Sequence, residues 1–357
     1  ATPTLDSLAD RVAVEQVPAG PPAPTGTAAL LAHVPQFGAQ LAGRLQAERP
    51  DVVHAQSWIC GLVALDAVQR LGLPVVQTFR GLGSLQRRHQ RAADSGPPAQ
   101  VRIEPAIAGA VDRVIVTSTQ DGAELRRLGV RKHRIVTVPA GVDPDRFQVA
   151  PMDLSRRAEP RVLCLGRLDV SAGVDDVICA LAKVPGARLV VAGGPAGTEL
   201  DADPNVVRLR KTAQALGVQG RVTFVGRVAP AAVPALIRSV DLVVCSPWYE
   251  ALGAVALEAL ASGVPVVASA VGALKDIVLP GVTGELVPAR SPNDLAVALR
   301  RLIAEPVRLQ SYRFAAADRA RAAYSWQRVA AATEAVYLDV LAAARPPLPE
   351  REAMPVA

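Results

Sequence analysis

The chain has 357 residues, half of them apolar, 20% charged, with a formal net charge of +6. That length fits two domains, each large enough for its own core. No apolar run reaches the roughly 18 residues that a spanning helix needs, the first ten residues are too polar for a signal peptide, and 3% aromatics without a basic–aromatic segment argue against nucleic acid as a partner. A cytoplasmic protein is expected, and the charge suits an anionic ligand or peripheral contact with the anionic inner face of a membrane. Cys60, Cys164, Cys179 and Cys245 stand singly in apolar runs, which predicts buried, reduced thiols. Four scattered histidines without an aspartate pair beside them predict no metal site.

In chain order, residues 11–15 alternate as a strand does and 17–24 form a Pro-rich loop. The patterning predicts helices over 28–48, 60–71, 101–111 and 120–128, and strands over 50–55, 74–79, 113–117 and 135–138. Arg80-Gly81-Leu82-Gly83 ends the second of these strands, and a basic segment over 87–91 follows. Residues 148–160, rich in Pro, Arg and Ser, read as a linker. Beyond it, strands over 162–165, 188–192, 221–225, 242–245 and 264–268 alternate with helices over 174–182, 205–216 and 233–240 and one after Gly253. Helices over 293–304, 307–323 and from Tyr324 to 344 complete the chain. Such alternation predicts an α/β fold of two Rossmann-like domains facing a cleft, over 1–147 and 161–323. Residues 324–344 are expected to pack back on the first domain, and 345–357 to form a mobile tail.

The stretch 241–288 carries the chemistry. A buried strand ends at Ser246-Pro247, and the loop after it holds Glu250. Glu258 lies about a turn and a half into the following helix, at about 3.6 residues per turn. Between the two carboxylates, the helix start offers unpaired N–H groups and the positive end of a dipole, where a diphosphate fits. Like charges keep the carboxylates off the phosphates, so they are free to accept from hydroxyls on either side. A ligand with hydroxyls on both sides of a diphosphate is a nucleotide sugar.

The segments PWYEALGAVALEALASGVPVVASAVG, GVTGELVP, GRLDVSAGVDDVI and VPAGVDPDRF resemble the retaining glycosyltransferases of family 4, with the glycosyltransferase B fold. The resemblance covers about Pro50 to Ala344. It implies transfer of a hexose from a nucleotide-diphosphate sugar of UDP or GDP type, with no cofactor, no metal and front-face attack. It assigns Glu258 to the ribose hydroxyls and Glu250 to the hydroxyls of the sugar. Gly166, Ala251, Leu252, Gly253 and Val255 fall in donor-binding segments. Arg167 matches the arginine that pairs with the diphosphate and stabilises the leaving group, as a fixed guanidinium aimed at developing phosphate charge does. His54, Arg80 and Arg88 fall on the acceptor side, where a phosphorylated or lipid-linked acceptor is implied.

The chain departs from the family pattern in places. The lysine usual five residues after the arginine is Ala172. The strand through Thr78-Phe79 delivers Arg80 where the family has a histidine, and Gln56 replaces another. No strand and Gly-rich loop precede Arg11, so the first domain is expected to be incomplete and the sequence a fragment. These departures keep a second reading open, a catalytically impaired sugar-nucleotide-binding homologue acting as a binding or partner protein. An oxidoreductase is disfavoured because no G-x-G-x-x-G follows a strand.

Overall fold

Ten strands form two parallel sheets in the computed structural model, which describes residues 12–20, 27–68, 71–94, 96–149 and 159–344. The first sheet takes β1 (Val53–Ala55), β2 (Val75–Phe79), β3 (Arg113–Val116) and β4 (Ile135–Thr137) in sequential order, with β1 at one edge. The second takes β5 (Arg161–Leu165), β6 (Arg188–Ala192), β7 (Val222–Gly226), β8 (Leu242–Cys245), β9 (Val266–Ser269) and β10 (Gly284–Val287) in the order β10-β9-β8-β5-β6-β7. That order is doubly wound: the chain leaves β5 toward one edge, then returns to its other side. Helices cover both faces, so the central strands are buried on both sides and read as unbroken apolar runs. All residues of β2 and of β9 are buried.

Local chemistry sets the helix ends. Ser118 caps the helix Thr119–Arg127 by accepting from Asp121 N. Asp203 caps Pro204–Ala215 by accepting from Asn205 N and Val206 N, ahead of a proline whose missing N–H costs nothing there. The helix Ala254–Ala261 buries Ala256, Leu257, Leu260 and Ala261 against the second sheet, leaving Val255 and Glu258 only half-buried. The last helix, Trp326–Ala344, lies on the first sheet, with Val336 and Val340 buried against Val76 and Ile115. Each valine contributes on the order of 2 kcal/mol by burial, and Arg113 pairs with Asp339 across the same contact at 2.7 Å.

Several boundaries differ from the sequence expectation. Residues 12–15 form no strand: alternation supplies a face but no partner, and Val12 and Val14 remain more than half exposed. β1 starts at Val53 rather than at 50, and β9 at Val266 rather than at 264, each displaced past a proline that cannot donate to a ladder. β10 was not expected, because four residues interrupted by the half-exposed Glu285 make too weak a pattern. The basic segment 87–91 is mostly helix, Gly83–Gln90. Cys60 is exposed and not buried, since its apolar run is a helix with one face outward. Residue 11, much of the Pro-rich loop (21–24), most of the linker (150–158) and the tail (345–357) lie outside the described residues.

Candidate active site

Where a doubly wound sheet reverses its strand order, the loops on either side diverge and leave a crevice at the carboxyl ends. Here that point lies between β5 and β8. A pocket of about 230 Å3 occupies it, with Arg167, Ala172, Ser246, Pro247, Glu250 and Val255 among its lining. A wider hollow of about 720 Å3 shares the segment from Leu165 to Leu168 and continues past Gly193, Gly194 and Arg227. The two make one groove over β6, β5 and β8.

Arg167 points its charge into solvent at the junction, its side chain 70% exposed. Its ion pair is with Asp169 at 3.3 Å; an exposed pair of this kind holds weakly and yields readily to a phosphate. Ala172 ends a short 3-10 turn on the pocket wall and adds no charge. Ser246 Oγ donates to Gly173 O at 2.8 Å, and Trp248 N donates to Ser171 O at 2.9 Å. These bonds tie the two loops that flank the pocket.

Glu250 corrects one expectation. The helix start is not wholly unpaired, because Glu250 Oε1 accepts from Leu252 N at 3.1 Å and Gly253 N at 3.0 Å. The carboxylate therefore builds the loop and also lines the pocket. The N–H groups of Ala254, Val255 and Ala256 remain as the free end of the helix. Glu258 lies one turn further along, half-buried. Burial raises its pKa, and the nearby Arg146 guanidinium partly offsets this. Glu258 is not among the residues lining either hollow.

Across the groove stand the carboxyl ends of β1–β4. Arg290 lies 3.8 Å above the Trp248 ring and donates to the His89 carbonyl. Thr119 donates through N and Oγ1 to Asp276, at 2.7 and 2.6 Å. Gln120 Oε1 accepts from Gly272 N at 2.8 Å. The two sheets thus meet through polar bonds around the mouth of the site.

Comparison with known proteins agrees with this geometry. The family model described as Glycosyl transferases group 1 matches residues 152–321, and the one described as Glycosyltransferase Family 4 matches residues 1–146. A D-inositol 3-phosphate glycosyltransferase of Catenulispora acidiphila is 36% identical over 96% of this chain and 84% of its own length. The chain belongs to the family 4 glycosyltransferases. A D-inositol 3-phosphate glycosyltransferase of Mycobacterium bovis is 35% identical over 85% of this chain, which spans 65% of that relative. Among solved structures, a sucrose-phosphate synthase of Thermosynechococcus elongatus superposes with a TM-score of 0.80 at 28% identity, over 91% of this chain and 82% of its own. HepE of Anabaena, solved with UDP and glucose, superposes with a TM-score of 0.71 at 23% identity, over 87% and 83%. The second of these two likenesses concerns the fold alone.

On the first sheet's side of the groove in this family 4 glycosyltransferase, the structure separates the residues expected to meet an acceptor. His54 has both ring nitrogens engaged, Nδ1 with Tyr337 Oη at 2.6 Å and Nε2 with Thr78 Oγ1 at 2.7 Å. Burial, then the Arg80 charge, lowers its pKa, which favours the neutral ring. Arg80 is exposed at the end of β2 and donates to Gln56 Oε1 at 3.0 Å. Arg88 faces another way: it pairs at 2.9 Å with Glu124, which Arg127 also holds. One contact beside the site escaped sequence reading, the bond between Tyr249 and Asp121. Ser118 and Asp121 stand three apart, which signals a helix cap. The partner across the groove left no such signal.

Proposed function

We propose that this glycosyltransferase moves a hexosyl group from a nucleotide-diphosphate sugar, of UDP or GDP type, to an acceptor hydroxyl with retention of anomeric configuration. One observation carries the reading: at the switch point of the second sheet, Arg167 and Glu250 line a single pocket beside a free helix start. An anion there meets a guanidinium and backbone N–H groups, while Glu250 is placed to accept from a sugar hydroxyl. In the proposed step, the acceptor oxygen bonds to the anomeric carbon on the face the diphosphate leaves. The carbon–oxygen bond to phosphate breaks, and the acceptor proton passes to the departing diphosphate oxygen. Arg167 contributes on the order of 1.5–3 kcal/mol as a charge-assisted partner of that leaving group. Relatives named for D-inositol 3-phosphate support a phosphorylated polyol acceptor, for which Arg80 is the exposed cation at the cleft edge of β2.

The test is nucleotide release from UDP- and GDP-sugars with phosphorylated and unphosphorylated polyols, with the product's anomeric configuration read by NMR. Turnover is expected, and Arg167→Ala is expected to lower it by one to two powers of ten, about the worth of one charged contact. Inversion at the anomeric carbon overturns the retaining step, and the absence of release from every pair overturns transfer. Ala172, uncharged on the pocket wall, favours the second reading of a chain that holds a sugar nucleotide without turning it over. That reading expects a thermal shift with UDP or GDP, lost in Glu258→Ala, and no product.

A further inference from the structure

Glu250 is fixed from both sides of the groove. On its own side, its carbonyl accepts from Ala273 N at 2.9 Å. The residues before and after it are bonded to the other domain. Tyr249 Oη donates to Asp121 Oδ1 at 2.7 Å and accepts from Leu82 N at 3.4 Å. Ala251 O accepts from Thr117 Oγ1 at 2.8 Å. Tyr249 is 4% exposed and Asp121 fully buried. Ser118 Oγ holds the other Asp121 oxygen at 2.5 Å, and the His89 ring stacks on Tyr249 with centroids 5.8 Å apart. Gly81, at φ +95, presses on the same loop; a Cβ there would lie 2.8 Å from the Ala251 methyl.

A buried phenol and a buried carboxylate each cost free energy unless they meet a partner. Here each is the other's partner, and they come from different domains. Burial raises the pKa of both groups, as expected of a contact kept from water. If the domains part, both groups lose it together. A loop residue between two such anchors has its backbone set by whether the opposite domain is docked.

We propose that Tyr249 and Asp121 form a latch through which the docked N-terminal domain positions Glu250 for sugar transfer. The two are positioning residues; neither is assigned contact with sugar or phosphate. The inference rests on the glycosyltransferase reading above and adds to it a coupling between acceptor-side docking and the placement of the carboxylate. Nucleotide affinity, which belongs to the second sheet, is independent of the latch. The rate of transfer depends on it.

The experiment compares the full chain with Tyr249→Phe, Asp121→Asn and the double variant. UDP affinity is read by calorimetry, kcat by UDP release from the donor sugar the wild type accepts, and loop order by hydrogen exchange over residues 247–253. The expected result is UDP affinity within about twofold of wild type. kcat falls about tenfold to a hundredfold in Tyr249→Phe, the worth of one buried bond to a charged partner. Loop exchange rises while β5 and β8 stay protected, and the double variant is no worse than the worse single one, as for two residues acting through one bond. Unchanged loop exchange in Tyr249→Phe overturns the latch, and so does a parallel fall in UDP affinity or multiplied losses in the double variant. Where a single variant fails to fold, the double variant, which removes the phenol hydroxyl and the carboxylate charge together, is measured by the same exchange experiment. A wild-type chain that releases no nucleotide counts against transfer; loop exchange still decides the latch.

Discussion

Replacing Gly272 by alanine tests whether the position of Glu250 matters to the chemistry. Gly272 sits at φ +51, and a Cβ there would lie 1.8 Å from the Glu250 carbonyl oxygen, where real contacts stay beyond 3.0 Å. The carbonyl must therefore retreat by about 1 Å. It cannot do so freely, because Ala273 N holds it at 2.9 Å and Gln120 Oε1 holds Gly272 N at 2.8 Å. The left-handed conformation alone costs alanine about 1–2 kcal/mol, and for a domain of this size that lowers Tm by roughly 2–8 °C. A displacement of about 1 Å in a positioning residue costs on the order of a hundredfold in rate. Thermal unfolding and steady-state kinetics on the purified Gly272→Ala chain measure both, with UDP affinity expected to change far less than kcat. A variant with the wild-type Tm and kcat would refute the reasoning, since the loop would then absorb the methyl without moving the carboxylate.

Three further outcomes follow from the structure. Glu104, 2% exposed, accepts from Gly83 N and Gln100 Nε2, yet burial pushes its pKa from 4.5 to about 7. A raised carboxyl pKa gives stability present below pH 4.5 and lost as pH climbs through about 7, on the order of 3 kcal/mol; urea midpoints of Glu104→Gln should show a flatter profile across that window, and a slope equal to the wild type's would discount the burial argument. Ala172→Lys places a second cation on the pocket wall and should raise kcat by about tenfold, measured as nucleotide release; no gain means that Arg167 suffices. Tyr337→Phe removes the bond to His54 Nδ1 and should cost about 1 kcal/mol in denaturant unfolding with kcat nearly unchanged; a large loss of kcat would place His54 in the chemistry.

The second sheet was legible almost residue by residue. β6 and β8 begin and end where their apolar runs do, because a central parallel strand is buried on both faces and cannot hide its pattern. The edges were harder. β10 is short and half-exposed, and residues 12–15 alternate without pairing. Strand–loop–helix punctuation was enough to put Arg167 and Glu250 at one edge of one sheet, where they line one pocket; a role for Arg167 came from the family resemblance and not from its spacing. The bond between Tyr249 and Asp121 joins residues 128 positions apart. Nothing local demands it: each residue has an ordinary role in its own element, Tyr249 as a loop aromatic and Asp121 as a first-turn partner of the Ser118 cap. The self-capping of the loop by Glu250 was also unreadable, because a glutamate written for a ligand and one written for its own backbone look the same in sequence.

The return of the last helix to the first sheet also constrains motion. The chain passes from the first sheet to the second after Phe147, and back at Ser325. Val142 N bonds Tyr324 O at 2.8 Å, and Gly141 lies beneath the Trp326 ring, so the outward and homeward strands of backbone run side by side. A body tethered by one thread can swivel about it. One tethered by two threads laced together turns about a single axle, so any opening of the groove would be a door's motion, hinged at Val142 and Tyr324.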